Sequence, residues 1–405
     1  MKLRDYPIAK ITKKAEKMLK AGHTWVFAEE ITEIDDSLEN GCLVDVVSQS
    51  GSYMGTGILS LCSKIRIRIL STNANDKYDR AFFARRIRYA LDYRKTVMGD
   101  DINACRLVFG EADGLPGLTV DRYENILSIQ TLSYGMEMRK DMIFEELVSA
   151  LQKDGVDVCG IFERNEAQIR TLEGLEMTSG WYEKLPHTND TKVIITENGV
   201  KYNVDVENGQ KTGFFLDQKY NRLAAAKIAK GKNVLDMFTH TGSFALNCAL
   251  GGAAHVTAVD VSQTAIDQAR ENAVLNGLEN KMDFLCCDVF DLLPKLCEEK
   301  HAYDFVILDP PAFTKSRATI KDARRGYKEI NYRAMKLLPR GGYFATCSCS
   351  HFMGREMFEE MLADAARDAN VSLKLIEARR QSPDHPVVFG IPDSDYLKFY
   401  LFQII

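Results

Sequence analysis

From Lys232 onward, short apolar runs alternate with helical stretches, and this rhythm constrains the fold more than any other feature of the chain. Runs at 233–238, 255–260, 282–288, 304–309 and 342–348 read as strands buried on both faces, because a strand covered by helices on each side has no polar alternation. The helical stretch Gln263–Asn276 is expected to start under a Ser262 cap and to stop at Gly277. Such alternation predicts an α/β fold with a doubly wound parallel sheet, and a ligand crevice at the carboxyl ends of its strands. The last run, 396–405, is apolar with no helix after it, so it is expected to return antiparallel beside an edge strand.

Three of the strands end in acids. The first leads into Asp236-Met237-Phe238-Thr239-His240-Thr241-Gly242-Ser243, a strand-to-helix turn with one glycine. A pyrophosphate needs close backbone approach over several residues, so this turn disfavours it. Asp260 ends the second strand, where a carboxylate can accept both hydroxyls of a ribose, and Asp288 ends the third, where it could meet an adenine amino group. Acids at three successive strand ends without a phosphate loop describe a nucleoside-bearing, unphosphorylated cofactor. S-adenosylmethionine fits, with Asp236 drawing its ammonium group. Phe238, Thr241 and Gly242 from the first turn, with Asp309 and Pro310 from the fourth, complete the expected cofactor set. Each acid taken alone is more often a helix N-cap than a ligand, and it is the three in register that favour the cofactor reading.

The fourth strand ends in Asp309-Pro310-Pro311-Ala312-Phe313, and the fifth in Cys347-Ser348-Cys349. Two prolines stiffen the first turn and present a carboxyl and a ring in fixed positions, suited to a planar base bonded by Asp309 and stacked on Phe313 beside Pro311. Carbon 5 of a pyrimidine is too weak a nucleophile to take a methyl group directly. A thiolate added at carbon 6 turns the ring into an enamine, and Cys349 is the expected attacking group. For cytosine, Asp309 at N3 supplies the proton that favours the attack. Cys347, deeper on the same run, is expected to be structural. Two other readings stay open: a methyltransferase of uracil carbon 5 or guanine N7, and a non-catalytic RNA-binding ribosome-assembly factor.

A net charge of −5 argues against a protein that coats nucleic acid indiscriminately, but residues 313–340 carry nine Lys and Arg against only Asp322 and Glu329. Lys315, Arg324 and Arg325 lie in this strip, just beyond Asp309, and are candidates for holding a polyanionic substrate; a solvated helix face is the bland alternative. Upstream, 1–71 reads as a small β module in which Lys64, Arg66 and Arg68 share one face, 72–205 as an α+β domain, and 206–405 as the α/β domain. Asn198-Gly199 between two strands is a strong hairpin signal. The ten cysteines include no CxxC pair, so neither a metal site nor a disulfide framework is expected. No apolar run reaches the length of a membrane helix, and the N-terminus lacks the apolar core of a signal peptide, so a cytoplasmic protein is expected.

The motifs DMFTHTGSF, AVDVS, CCDVFDLL, ILDPPAF and TCSCSHF, with GHTWVF, GEADGLPGLTVDRY and KTGFFLDQ upstream, resemble the RlmI-type family of large-subunit ribosomal RNA cytosine-5 methyltransferases nearly end to end. The resemblance implies an N-terminal PUA domain, a central α+β domain and a C-terminal class I (Rossmann-like) S-adenosylmethionine-dependent methyltransferase domain. It implies Cys349 as nucleophile, Asp309 as the acid beside it, Asp236, Asp260 and Asp288 as cofactor acids, and 5-methylcytosine in 23S-type ribosomal RNA as product. It leaves a homodimer open, and gives the 213–218 segment an approach role only.

Overall fold

The computed structural model describes residues 5–299, 303–314 and 316–405; Lys315, one of the cations expected near the substrate, lies outside them. Contacts group the chain into two bodies. One comprises Met1–Ile195, Val204–Leu216 and Pro383–Ser394, the other Thr196–Asn203, Asp217–Ser382 and Asp395–Ile405.

In the first body, strands Ile8–Ile11, Trp25–Phe27, Ile31–Glu33, Leu43–Val47, Tyr53–Leu59 and Ile65–Ser71 form one sheet around Val26, Val44, Val46, Leu59 and Ile67. The expected basic face of the last strand is corrected here. Arg68 is buried, with Nη2 2.7 Å from Glu173 Oε1 and Nη1 3.5 Å from Glu111 Oε1. Period-two alternation sets which face a residue occupies, and a distant acid decides whether that face is open. A second sheet of five strands follows the long helix Arg80–Met98, whose start is capped by Asp79 accepting from the Phe82 amide at 3.1 Å. The hairpin Lys192–Glu197 to Val200–Asp205 turns on Asn198 (φ 54°) and Gly199 (φ 81°), the two left-handed residues that a two-residue turn of this kind requires.

The second body is built on a seven-stranded sheet: β1 Asn233–Met237, β2 His255–Asp260, β3 Met282–Cys286, β4 Phe305–Leu308, β5 Tyr343–Ser348, β6 Leu373–Arg379 and β7 Lys398–Ile404. Their spatial order is β3-β2-β1-β4-β5-β7-β6. The first five pair in parallel, and β7 runs antiparallel to both β5 and β6. The final strand is therefore inserted between two strands, one of which, β6, has no apolar run to reveal it: Lys374, Glu377 and Arg379 interrupt it at the exposed sheet edge. Ser262 caps the helix Gln263–Asn276 by accepting from the Ala265 amide, and Gly277 ends it at φ 66°. Leu235, Met237, Val259, Val306, Leu308 and Phe344 on the central strands join Tyr327, Ile330, Phe358 and Met361 of the covering helices in one core. Strand order reverses between β1 and β4, which places the crevice beyond the ends of those two strands, where Asp236 and Asp309 sit. No helix among the described residues is long and apolar enough to cross a membrane.

Candidate active site

The turn after β1 is conformationally unusual. Phe238 (φ 64°), His240 (φ 52°) and Gly242 (φ 82°) all adopt left-handed backbone, a strain that persists only where the surroundings impose it. At Gly242 a side chain would also meet the Ala269 methyl at 3.1 Å, so glycine serves close packing on the neighbouring helix. Under this turn Asp236 is fully buried. Its Oδ2 accepts from Thr239 Oγ1 at 2.5 Å and from the Ala245 amide at 2.9 Å. Its Oδ1, like the nearby Thr241 Oγ1, is buried without a partner among the described residues. Burial, helped by the charges of Asp309 and Asp260, pushes the Asp236 carboxyl up to about 7.

Asp260 holds the same turn from β2: Oδ2 accepts from the His240 amide and Oδ1 from the Ser262 amide, each at 2.9 Å. Asp288, past the end of β3, is exposed and accepts from the Phe290 amide at 2.8 Å at the start of the helix Val289–Glu299.

Asp309, half-buried, follows β4 and lies in register beside Cys347 on β5, since Leu308 pairs with Thr346. Its carboxyl receives the Gln218 Nε2 donor at 2.9 Å and contacts the Cys347 thiol. Burial first, then the neighbouring Asp217, raises it to about 6, while Arg222, Cys347 and Gln218 counter the rise. Arg222 is itself fully buried against Glu197, at 2.7 and 3.1 Å. Cys347 is fully buried, and burial together with Asp309 pushes its thiol far up, so it stays protonated. Cys347, expected to be structural, is sealed in beside Asp309 and Gln218.

Cys349 is half-buried on the loop leaving β5. Tyr327, on the helix Ile320–Leu337, ties this loop to the proline turn: its hydroxyl lies 2.9 Å from Ser350 Oγ, 3.1 Å from Ser348 Oγ and 3.5 Å from the Pro311 carbonyl. Asn331 on the same helix accepts from Thr346 Oγ1 at 2.7 Å and donates to the Tyr327 carbonyl. Pro310 is buried and Pro311 exposed. The Phe313 ring leans on Tyr327, with centroids 4.5 Å apart, and on Phe290 at 6.0 Å.

The basic strip is partly neutralised within the fold. Arg324 pairs with Asp364 and Lys328 with Asp368 on the next helix, each at 2.6 Å. Arg317, Lys321 and Arg325 are exposed, with no ion pair among the described residues.

Sequence reasoning missed Tyr327 and Lys398, and placed Gln218 only within the 213–218 segment, with an approach role and no link to Asp309. A lysine at the head of an apolar strand was the one local signal available for Lys398, whose side chain is buried. Gln218 and Tyr327 come from segments remote in sequence and carry no spacing relation to the acids or the thiols.

Residues 177–403 match the family model of S-adenosylmethionine-dependent methyltransferases, and residues 9–72 that of PUA-like domains. The ribosomal RNA large subunit methyltransferase I of Klebsiella pneumoniae (strain 342) is 38% identical over 403 residues, spanning 99% of both chains. That of Erwinia tasmaniensis is 39% identical over 397 residues, spanning 98% of both. Among solved structures, SMU.776, a proposed methyltransferase complexed with SAH, superposes with a TM-score of 0.82 at 22% identity over 98% of this chain and 99% of its own, a likeness of fold.

Proposed function

The chain belongs to the large-subunit ribosomal RNA methyltransferase I family, and from that premise we propose that Cys349 attacks carbon 6 of a cytosine in 23S ribosomal RNA while Asp309 serves its N3. The protein is an S-adenosylmethionine-dependent methyltransferase forming 5-methylcytosine, with a PUA-like module ahead of a Rossmann-like sheet.

The unpaired Asp236 Oδ1 and Thr241 Oγ1 fit the cofactor, since both are buried polar atoms at the strand ends that want a partner. Asp236 would hold the ammonium, Asp260 the ribose, and Thr241, Phe238, Gly242 and Pro310 the adjoining walls, with Asp288 near the adenine. When bound, S-adenosylmethionine supplies an electrophilic methyl group on sulfur.

The remaining chemistry falls to the chain. Asp309, at about 6, keeps roughly a tenth of its carboxyls protonated at neutral pH, so it can give N3 a proton as the thiolate adds. Addition places electron density on carbon 5, which takes the methyl group; loss of the carbon 5 proton to solvent re-forms the 5,6 double bond and expels Cys349 as thiolate, while N3 returns its proton to Asp309. Pro311 and Phe313 would flank the base. Arg325 and Lys315 would meet the phosphates, with Arg324 as a weaker contributor because Asp364 already holds it. Residues 1–71 and 72–205, apart from the hairpin tip Thr196–Asn203 that groups with the catalytic sheet, would present the RNA, and 206–405 with that hairpin tip perform the reaction, in the cytoplasm where ribosomal RNA resides.

The observation that carries this assignment is the contrast between two thiols. Cys347 is sealed in and kept protonated, whereas Cys349 is half-buried on the loop beside it. RNA containing 5-fluorocytosine should trap a covalent adduct with the wild type and with Cys347→Ala, and none with Cys349→Ala. An adduct that survives Cys349→Ala refutes the assignment.

A further inference from the structure

Lys398 opens β7 opposite Ser348, the residue before Cys349. Its side chain is 4% exposed, and Nζ donates to the Ser350 carbonyl at 2.7 Å and to the Tyr396 carbonyl at 2.9 Å. The ammonium thus grips the backbone directly after Cys349. An ammonium has three donors, and both of these acceptors are neutral. A buried cation is costly unless an anion compensates it. The charged and titratable groups facing Lys398 are Cys349, Asp395 and Arg355, of which Asp395 is paired with Arg380 at 3.2 Å and Arg355 is a like charge. Those facing Cys349 include Tyr327 and Cys347, both held protonated by burial. Lys398 is therefore a buried cation held close to Cys349, on the backbone of its neighbour Ser350.

We propose that Lys398 is a positioning residue that fixes the Cys349 loop and supplies the positive charge that keeps the attacking sulfur as a thiolate. The proposal rests on Cys349 being the nucleophile. Burial lowers the ammonium to about 8, which leaves it mostly charged at neutral pH, when the thiolate is needed. The β7 insertion gives this arrangement its rigidity: Lys398 is hydrogen-bonded into the sheet between β5 and β6, so its charge is carried on strand rather than loop.

The test reads the thiol directly and needs neither RNA nor cofactor. The full chain is alkylated with iodoacetamide across a pH series, and modification of the Cys349 peptide is followed by mass spectrometry. In the wild type the midpoint should lie below about 8.5, the ordinary thiol value. Lys398→Met and Lys398→Gln should raise the midpoint by about 1 pH unit or more, slowing alkylation at pH 7 about tenfold, and Lys398→Arg should keep it low. Lys398→Gln retains two donors for the carbonyls, so a purely structural role would leave its midpoint unmoved. A wild-type midpoint at or above the ordinary value, or an unchanged midpoint in folded Lys398→Gln, overturns the proposal; the wild-type arm decides even if the neutral variants do not fold. Failure of the nucleophile assignment would show instead in the 5-fluorocytosine adduct, which this measurement does not use.

Discussion

Gln218 Nε2 donates to Asp309 Oδ1 across 2.9 Å, while its own amide oxygen accepts from Asn221 at 2.6 Å, so the amide cannot turn round. This fixed donor stabilises the carboxylate form of Asp309. Gln218→Leu should therefore move the pH at which Asp309 loses its proton upward from about 6, and lower the single-turnover methylation rate through poorer orientation of the carboxyl. Asp309→Asn should abolish that limb of the pH–rate profile and cost about 10²–10⁴ in rate.

Asp236, proposed to hold the cofactor's ammonium, would tie cofactor binding to stability through pH. Its folded carboxyl titrates at about 7, above the ordinary 3.8, so the folded state binds the extra proton between those values. Its contribution to stability is complete below the unfolded value and is lost as pH rises through 7. Without cofactor, Asp236→Asn should melt above the wild type at pH 8, with the gap closing towards pH 4. In the wild type, affinity for S-adenosylmethionine should rise from pH 6 to 8 as the carboxylate forms, and Asp236→Asn should bind weakly with a flat profile. Calorimetry across that range reads both.

Tyr327→Phe keeps the ring against Phe313 but strips the hydroxyl from Ser348 and Ser350, both buried. Leaving buried polar groups unpaired costs about 1–3 kcal/mol, which urea unfolding would register. Trapping of 5-fluorocytosine RNA should slow as well, because the two loops lose their common anchor.

Arg325 and Arg324 are adjacent in sequence but differ in what they are free to bind. Arg325→Ala should weaken RNA binding at low salt and reduce the slope of log affinity against log salt by about 1. Arg324→Ala, which chiefly removes the pairing with Asp364, should change the slope much less. Filter binding over a salt series separates the two.

Four of the five parallel strands could be read because they are buried on both faces, and a continuous apolar run has few other uses; β3, expected to be buried like them, is instead an edge strand with Asp283, Leu285 and Cys286 exposed. The placement of Asp309 and Cys349 at the carboxyl ends of neighbouring strands could be read for a related reason, since ligand crevices in such a sheet lie at strand ends. β6 could not, because its exposed edge carries the charges of a loop. Nor could the burial of Arg68, whose partner Glu173 lies 105 residues away, or the meeting of Gln218 with Asp309 across 91 residues. Such pairs are set by tertiary packing, and local pattern holds no record of them.

The Glu197–Arg222 pair limits where this chain can be cut. Both side chains are buried, and Glu197 sits at the hairpin tip Thr196–Asn203, which belongs with the methyltransferase sheet although it precedes that sheet by some thirty residues. A catalytic fragment excised at residue 206 would leave the Arg222 guanidinium interred without its counter-ion, a loss of about 3–5 kcal/mol. It would also remove Tyr202, whose hydroxyl meets Ser243 and Asn247 at the helix that follows the turn after β1. An autonomous catalytic fragment has to begin ahead of Lys192, with the whole hairpin on board.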